Sequence, residues 1–427
     1  ADGRLVMGQV QARGPVRATS QSSTVRAERT IFSDTAVTLQ GLTAVEIAAN
    51  ALVASQADVT LNGANITLET GAIAAAGVTS TGAQTQNGAL SLTGTTIDTG
   101  EGTLVAGAEI TLDAASVELS RDSAAATDNL RSLGNVTIAT DTLVATNGQI
   151  RAGDALTISS DDNLAINGGD FASMGALNVT GDNITTSATL GTQDRATLLA
   201  TEGAVTNTGR VAGDDRTVVT AQTAVMNSGD MMSQTDVTVT AGTTLNNTDS
   251  GQIIGGQTTT QSQSLDNAGL IAAQSGDLAI TTDQAIDNTG TLVGVAALDI
   301  NKNGALHNEG DIVAQGTITV AGQNGAAAGA ITNQTEGLIN GGAGVQFEAA
   351  SLENAGAIGS SAGALDVDLA GDLDNTGLLY SGTSSTYRLD GDFTNTYADS
   401  IAETNQTISG LTGPRAGDVL NSSGTIE

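Results

Sequence analysis

Aliphatic and polar residues alternate in short segments along most of the chain. The commonest form is a triplet in which one polar or small residue separates two aliphatic ones, and steps of 20 or 21 residues recur between triplets. Alternation of this kind predicts β-strands, because successive side chains of a strand point to opposite faces. The triplets are Ile110–Leu112, Val136–Ile138, Leu156–Ile158, Leu177–Val179, Val237–Val239, Leu278–Ile280, Leu298–Ile300, Ile318–Val320 and Leu365–Val367.

A second pattern, apolar-x-Asn-x-Gly, recurs from residue 204 onward at nearly the same interval. Asn tolerates a left-handed backbone and Gly permits a positive φ, so this unit predicts a turn. Repetition at one register would stack the Asn amides into a ladder with a structural role, in which each amide offers a donor and an acceptor to its neighbours. The predicted ladder residues are Asn207, Asn227, Asn247, Asn267, Asn288, Asn308, Asn333, Asn354, Asn375 and Asn395, and Asn421 continues the spacing.

The period of about twenty residues predicts the fold. A helical repeat needs some thirty or more residues for two helices, and apolar spacing at three and four residues is not sustained anywhere. One unit, residues 265–285, contains three short apolar pieces separated by Gly, Asn, Ser and Asp. We therefore predict an all-β, right-handed parallel β-helix with three short strands per rung and essentially no α-helix. About twenty rungs spaced by about 4.8 Å would form a monomeric rod roughly 100 Å long.

The two patterns divide the chain into three predicted segments. Residues 1–36 form an N-terminal edge segment, or alternatively the first irregular rungs, because five of the fourteen basic residues lie before position 30. Residues 37–203 form a β-helix without the Asn-x-Gly unit, and residues 204–427 a β-helix with it. The chain starts without Met and opens a further rung at residues 419–424, so we expect a portion of a longer fibre.

Composition narrows the possible partners. The chain has no Trp, only four Phe and three Tyr, and no Cys, which suits a thin aliphatic stack and excludes disulfides and thiolate chemistry. Its formal net charge is −32, which repels phosphate backbones, so we do not expect nucleic acid as a ligand. No apolar run approaches the roughly 18 residues needed to cross a bilayer, so membrane insertion is not expected.

The run Leu265–Ile271 (Leu-Asp-Asn-Ala-Gly-Leu-Ile) and its later copies resemble the repeat region of filamentous-haemagglutinin-like exoproteins. This family includes large adhesins and contact-dependent inhibition effectors exported by two-partner secretion. The resemblance implies a Gram-negative origin, export through an outer-membrane transporter, and an extracellular location at the cell surface. It also implies a receptor or glycan on a host or neighbouring cell, and a role in virulence. The family's amino-terminal secretion domain and a carboxy-terminal toxin are not found in this sequence.

Three functions remain open from the sequence. The first is the stalk of an adhesin, and the second is the same stalk in a contact-dependent toxin-delivery protein. The third is a polysaccharide-degrading β-helix, for which acidic pairs such as Asp161-Asp162 could serve. One His and one Lys, His307 and Lys302, leave little for general acid–base chemistry, and acidic residues take the place of His307 in other repeats. We therefore predict no enzyme activity, no cofactor and no metal site, and a solvent-facing His307.

Interruptions of the period are where binding is most expected, because loops on a rigid scaffold usually carry it. Three segments interrupt the repeat, at residues 121–131, 322–329 and 399–418. Most of the few aromatic residues lie near the last of these. Tyr380, Tyr387 and Tyr397 are candidate contact residues, with the alternative that they fill a wider rung.

Overall fold

The computed structural model describes residues 3–121, 128–396, 399–402, 405–410, 419–422 and 425–426. The chain divides into two compact units, Ala1–Val218 (unit 1) and Val219–Glu427 (unit 2). Each unit is a parallel β-solenoid whose strands belong in turn to three parallel sheets, here called A, B and C. The described residues contain no α-helix and only one short 3-10 helix, Gln323–Gly325. A rung takes about 21 residues and three strands, which confirms the predicted fold class.

Strands are numbered β1 to β59 in chain order. In unit 1, sheet A consists of β1 Leu5–Met7, β4 Thr24–Ala27, β7 Ala44–Ile47, β10 Asn65–Leu68, β13 Thr96–Asp98, β16 Ser116–Glu118, β19 Thr142–Val144, β22 Leu164–Asn167, β25 Ile184–Thr186 and β28 Val205–Asn207. Sheet B consists of β2 Val10–Ala12, β5 Ile31–Ser33, β8 Leu52–Ser55, β11 Ile73–Ala76, β14 Thr103–Ala106, β17 Leu130–Ser132, β20 Gln149–Ala152, β23 Asp170–Ser173, β26 Thr189–Thr192 and β29 Arg210–Gly213. Sheet C consists of β3 Val16–Ser20, β6 Val37–Gly41, β9 Val59–Asn62, β12 Ala89–Thr93, β15 Glu109–Asp113, β18 Asn135–Ala139, β21 Leu156–Ser159, β24 Leu177–Gly181 and β27 Arg195–Ala200. The boundary between the units falls within β30 Arg216–Ala221.

In unit 2, sheet A consists of β31 Val225–Asn227, β34 Thr244–Asn247, β37 Ser264–Asn267, β40 Ile286–Asn288, β43 Leu306–Asn308, β46 Ile331–Asn333, β49 Leu352–Asn354, β52 Leu373–Asn375, β55 Phe393–Thr396 and β58 Val419–Ser422. Sheet B consists of β32 Asp230–Ser233, β35 Gln252–Gly255, β38 Leu270–Ala273, β41 Thr291–Gly294, β44 Asp311–Ala314, β47 Leu338–Gly341, β50 Ala357–Ser360, β53 Leu378–Ser381, β56 Asp399–Ala402 and β59 Thr425–Ile426. Sheet C consists of β33 Asp236–Ala241, β36 Gln257–Ser262, β39 Leu278–Thr282, β42 Leu298–Lys302, β45 Thr317–Ala321, β48 Gly344–Ala349, β51 Ala364–Leu369, β54 Ser384–Leu389 and β57 Asn405–Gly410.

The core of each unit is a set of aliphatic columns. Leu265, Ile286 and Leu306 lie in direct register in sheet A, and each is fully buried. The apolar-x-apolar triplets form the sheet C strands, with both aliphatic side chains inward and the middle residue outward, as in β39. Parallel rungs spaced by about 4.8 Å bring like side chains into contact, so one small aliphatic repeat can build a dry interior.

The N-terminal segment is part of the regular coil. Strand β1 pairs in parallel register with β4, and β2 pairs with β5 in the same way. Two of the early arginines, Arg4 and Arg26, pair with acids on later rungs: Arg26 contacts Glu46 at 2.9 Å and Glu69 at 2.5 Å, and Arg4 contacts Glu46 at 3.0 Å. The hydrogen bond from Arg26 lowers the pKa of Glu69 below its ordinary value. These two arginines therefore form an ionic network across four rungs.

The glycine of the repeat unit has a different cause from the predicted one. Neither the ladder asparagines nor the glycines that follow them have a positive φ, so the predicted left-handed turn is wrong. Each ladder asparagine from Asn207 to Asn375 ends a sheet A strand, and the glycine lies in the connection after it. A Cβ on Gly290 would lie 2.2 Å from the carbonyl oxygen of Gly269 on the preceding rung. Glycine is thus required by the close stacking of the bends.

Candidate functional site

The side chains of the Asn ladder are buried and face one another. Within unit 2, the amide nitrogen of each ladder asparagine from Asn227 to Asn375 donates to the amide oxygen of the next, at 2.7 to 2.9 Å. All of them, including the last acceptor Asn395, are at most 2 % exposed. Strand register fixes this arrangement, because consecutive ladder residues are directly paired in sheet A.

The ladder amides also hold the bends. Asn288 donates to the carbonyl oxygen of Gly290 at 3.2 Å, and Asn308 donates to that of Gly310 at 2.9 Å. In unit 1, Asn207 is equally buried and exchanges hydrogen bonds with Gly209. Amides that are paired inside the solenoid have no free face for a ligand. They can instead satisfy the polar groups of the bends and fix the register of the rungs.

The outward column beside the ladder carries acidic residues. Asp266, Asp287 and His307 lie next to one another in register on the outer face of sheet A. His307 is half-exposed, and its Nε2 lies 3.2 Å from an oxygen of Glu309. Burial, and secondarily the charge of Asp287, raises the pKa of Asp266 above its ordinary value. The carboxylates of Asp266 and Asp287 therefore stack on an exposed face, and the neighbours of His307 in this column are Asp287 and Thr332.

Replacing Asp266 by Asn should stabilise unit 2 slightly at neutral pH. An acid whose pKa is raised by folding adds stability at low pH and loses it as the pH rises through that pKa. The charged form of Asp266 therefore opposes folding at pH 7, and Asp266→Asn should raise the free energy of unfolding by a few tenths of a kcal/mol at pH 7 and not at pH 3. Urea unfolding at both pH values measures this difference.

Asp299 provides the matched control for that substitution. It lies on the outer face of sheet C between Ala279 and Thr319, so it has no acid directly above or below it. Asp299→Asn should leave the unfolding midpoint unchanged at both pH values. An equal gain in both variants would show that general charge reduction, rather than the Asp266–Asp287 contact, is responsible.

The structure separates the candidate tyrosines. Tyr380 is half-exposed on the outer face of sheet B, and its Cβ lies 3.3 Å from where a Cβ on Gly359 would be, in the neighbouring strand. Tyr387 is fully buried in β54, with its ring centroid 5.2 Å from that of Phe393. Tyr387 therefore fills the rung, and the alternative of a surface contact is wrong for it. Tyr397 lies outside the described residues.

The predicted insertions differ in their structure. Residues 399–402 and 405–410 are regular strands β56 and β57, so half of the predicted 399–418 insertion consists of ordinary strands, and residues 403–404 and 411–418 lie outside the described residues. At the 121–131 interruption, buried Arg121 donates to the carbonyl oxygens of Gly102 at 3.0 Å and Asp128 at 3.3 Å. Residues 122–127 there are outside the description.

At the 322–329 interruption, a lysine is buried at the base of the loop. Lys302 is fully buried, and its Nζ donates to Gly304 at 2.7 Å and to Gly329 and Ala330 at 3.4 Å, in each case to the carbonyl oxygen. Burial lowers the pKa of Lys302 to about 8. The residue in register on the preceding rung is Thr282, and the longer side chain of Lys302 reaches the carbonyl oxygens at the end of the loop. The loop is thus supported from inside.

One interruption was missed from the sequence. Residues 77–88 form a loop between β11 and β12 in unit 1. Val59 and Leu90 are paired in sheet C, yet they are 31 residues apart instead of about 20, so the spacing contained the signal. Val78 of this loop packs on the outer face of sheet B against Phe32, Ala54 and Ala75.

The described residues contain no group of three or more His, Asp or Glu side chains that could hold a metal ion. In the same part of the chain, no helix is both long enough and apolar enough to cross a lipid bilayer. Asp161 and Asp162, the acidic pair considered for a glycosidase, are exposed in the bend between β21 and β22. The geometry defines a repeat protein whose ordered polar groups form hydrogen bonds and ion pairs mainly between rungs.

A buried aliphatic stack with an internal amide ladder places the chain among the parallel β-solenoid repeat proteins. The family profile described as Haemagglutinin repeat matches residues 8–95, 85–132, 252–322, 319–377 and 361–427, which is well over half of the chain. The chain therefore belongs to the haemagglutinin repeat family. Proteins of this family are generally structural and typically secreted or displayed on a surface. No curated protein and no solved structure matches the chain significantly.

Proposed function

We propose that the chain is a non-catalytic segment of the stalk of a secreted bacterial surface adhesin. One observation carries the proposal: haemagglutinin repeats match most of a chain whose interior is built by repeating contacts between rungs. A stalk must keep attachment regions at a distance, and rungs that each support the next can do this with little sequence diversity. The Asn–Asn hydrogen bonds run between rungs, so they oppose the separation of neighbouring rungs directly.

The distribution of chemical groups supports a non-catalytic role. The one His is half-exposed beside Glu309, and the one Lys is buried against carbonyl oxygens. General acid–base catalysis needs a titratable group that can reach a substrate, and Lys302 cannot do so without opening the core. The outer acids are solvated and give the chain its net charge of −32, which suits solubility and discourages self-association.

The export route and partners belong to the same proposal. We expect a Gram-negative source, an outer-membrane transporter of the two-partner type, and a receptor or glycan on a host or neighbouring cell. Support comes from the haemagglutinin repeat family alone. Parallel solenoids grow rung by rung on a preceding rung, which is compatible with folding of an emerging chain outside the cell.

Antibodies raised against the purified chain test the location. They should label intact cells of the source bacterium, and deletion of the gene for the transporter partner should abolish this labelling while the antigen remains detectable inside permeabilised cells. Antigen found only after permeabilisation of wild-type cells would contradict the proposal. In parallel, the purified chain should release no reducing or unsaturated ends from a panel of bacterial and host polysaccharides, and release of either would overturn the non-catalytic role.

A further inference from the structure

The outer face of sheet B in unit 1 carries an apolar trough that nothing in a stalk requires. Its floor has two neighbouring columns of outward side chains in direct register, and its volume is about 540 Å³. This is the size of a small-molecule site, since such sites are roughly 300–1,000 Å³ and mostly apolar. The floor residues are Phe32, Ala54, Ala75 and Val105 in one column and Leu52 and Ile73 in the other.

The trough is shaped by small residues in its floor and by the 77–88 loop, which forms a wall along one side. Ala54 and Ala75 lie between the larger Phe32 and Val105, and the space above them holds Val78, so both alanines are buried. The 77–88 loop rises along one side, and its Val78 packs on the floor while Thr79, Ser80 and Gln84 line the cavity. The loop forms an antiparallel bridge between Val78 and Gln84, so the wall has its own backbone pairing.

The base of the wall is closed tightly. Gly77 and Gly88 have φ values of +67° and +92°, which L side chains rarely adopt. A Cβ on Gly77 would lie 1.6 Å from the carbonyl oxygen of Asn87, so the two ends of the loop are in backbone contact. Thr85 donates to the carbonyl oxygen of Gly77 at 2.7 Å. The wall is therefore held in place before any ligand arrives, which lowers the ordering cost of binding.

The two ends of the trough differ in charge. Arg131 follows Val105 in the floor column, and it is exposed and forms no ion pair within the described part of the chain. Its neighbour Arg151, by contrast, forms ion pairs with Asp170 at 2.5 Å and with Asp128 at 3.8 Å. The opposite end has the neutral amides of Gln9 and Gln11. Four rung steps separate Phe32 from Arg131, about 19 Å at about 4.8 Å per step.

An apolar floor with a cationic end favours one class of ligand over others. A sugar would need many hydrogen-bond partners and a flat aromatic surface, but the floor is aliphatic apart from the nearly buried Phe32. An extended peptide could not add to the sheet, because the trough crosses a sheet face whose backbone groups are already paired. An alkyl chain needs only the apolar floor. In a chain with a net charge of −32, an unpaired guanidinium at the end of that floor favours an anionic head group.

We propose that the trough binds a single-chain carboxylate amphiphile, a free medium-chain fatty acid. Its alkyl chain lies against the accessible apolar side chains of Leu52, Ile73 and Val105, and its carboxylate pairs with Arg131. The site is independent of the proposed stalk function, because it uses only outward side chains of sheet B and the 77–88 loop.

Binding can be read from an introduced tryptophan, since the chain has none. Ser80→Trp places the reporter on the rim of the wall, and dodecanoate below its aggregation concentration should shift its fluorescence. Leu42→Trp, on an exposed turn of the same unit, should give no shift. Calorimetry on the unmodified chain should show that decanoate binds about 15-fold more weakly than dodecanoate, at about fourfold per methylene group.

Paired variants separate the head-group site from the alkyl site. Arg131→Gln should weaken dodecanoate binding by about tenfold and leave dodecanol binding unchanged, while Arg210→Gln, another outward arginine of sheet B, should change neither. Ile73→Thr, a residue type found at equivalent positions such as Thr103, should weaken both ligands. Circular dichroism confirms that each variant is folded. Absence of dodecanoate binding, binding insensitive to Arg131→Gln and Ile73→Thr, or binding only to phosphatidylglycerol vesicles would each overturn the proposal.

Discussion

Replacing Asn288 by Leu is expected to lower the free energy of unfolding of unit 2 by about 2 to 5 kcal/mol. The substitution removes the acceptor of the Asn267 amide and the donor to the Asn308 oxygen, both at 2.8 Å. It also removes the donor to the carbonyl oxygen of Gly290. Each buried polar group left without a partner costs about 1 to 3 kcal/mol, and partial rearrangement by Asn267 reduces the sum. Leu has the same number of side-chain heavy atoms as Asn and the same branching at Cγ, so changes in packing contribute less than the lost hydrogen bonds.

Urea unfolding followed by circular dichroism measures the change, and hydrogen exchange over residues 265–310 locates it. Exchange is needed because repeat proteins can lose rungs locally before the whole unit unfolds. Asn301→Leu is the matched control: this asparagine is exposed on the outer face of sheet C, and its replacement should stay within about 0.5 kcal/mol of the wild type. An unchanged midpoint for Asn288→Leu would mean that the ladder contributes little to stability.

Lys302→Met should remove a large pH dependence of stability. The ammonium group has a pKa of about 8 in the folded chain, against 10.5 for an exposed lysine. Between these values the unfolded chain binds the proton and the folded chain does not, so the free energy of unfolding rises with pH. The rise for wild type should be about 3 kcal/mol over this interval, since one pKa unit corresponds to about 1.4 kcal/mol. It should be absent in the variant.

The test is the difference between wild type and variant in urea unfolding from pH 7.5 to pH 10.5. All other titrating groups are shared by both proteins and cancel in the difference. Lys302 is the one lysine of the chain, so no second ammonium can compensate. Parallel stability curves for the two proteins would show that Lys302 is solvated, for example by opening of the 322–329 loop.

The period and the strand pattern were determined by the sequence. In a solenoid, each residue pairs with the equivalent residue one rung away. A repeated triplet such as Leu278–Ile280 and Leu298–Ile300 therefore predicts the register of the sheet. The count of three apolar pieces per repeat gave three sheets for the same reason. The position of the Asn ladder also followed from spacing, because equal intervals place equal residues next to one another.

Only the tertiary structure decided which way several residues face and why. The repeat glycines are needed for the contact between bends, which no φ preference of one bend predicts. Tyr387 faces inward, where the small Ser385 of the same strand leaves space and Phe393 of the next strand packs nearby, so its position depends on the volumes of two strands. The trough forms because the 77–88 loop folds back over Ala54 and Ala75 of other strands. The sequence determines contacts that repeat at a fixed interval, whereas packing of unique loops and side chains depends on space that only the assembled rungs define.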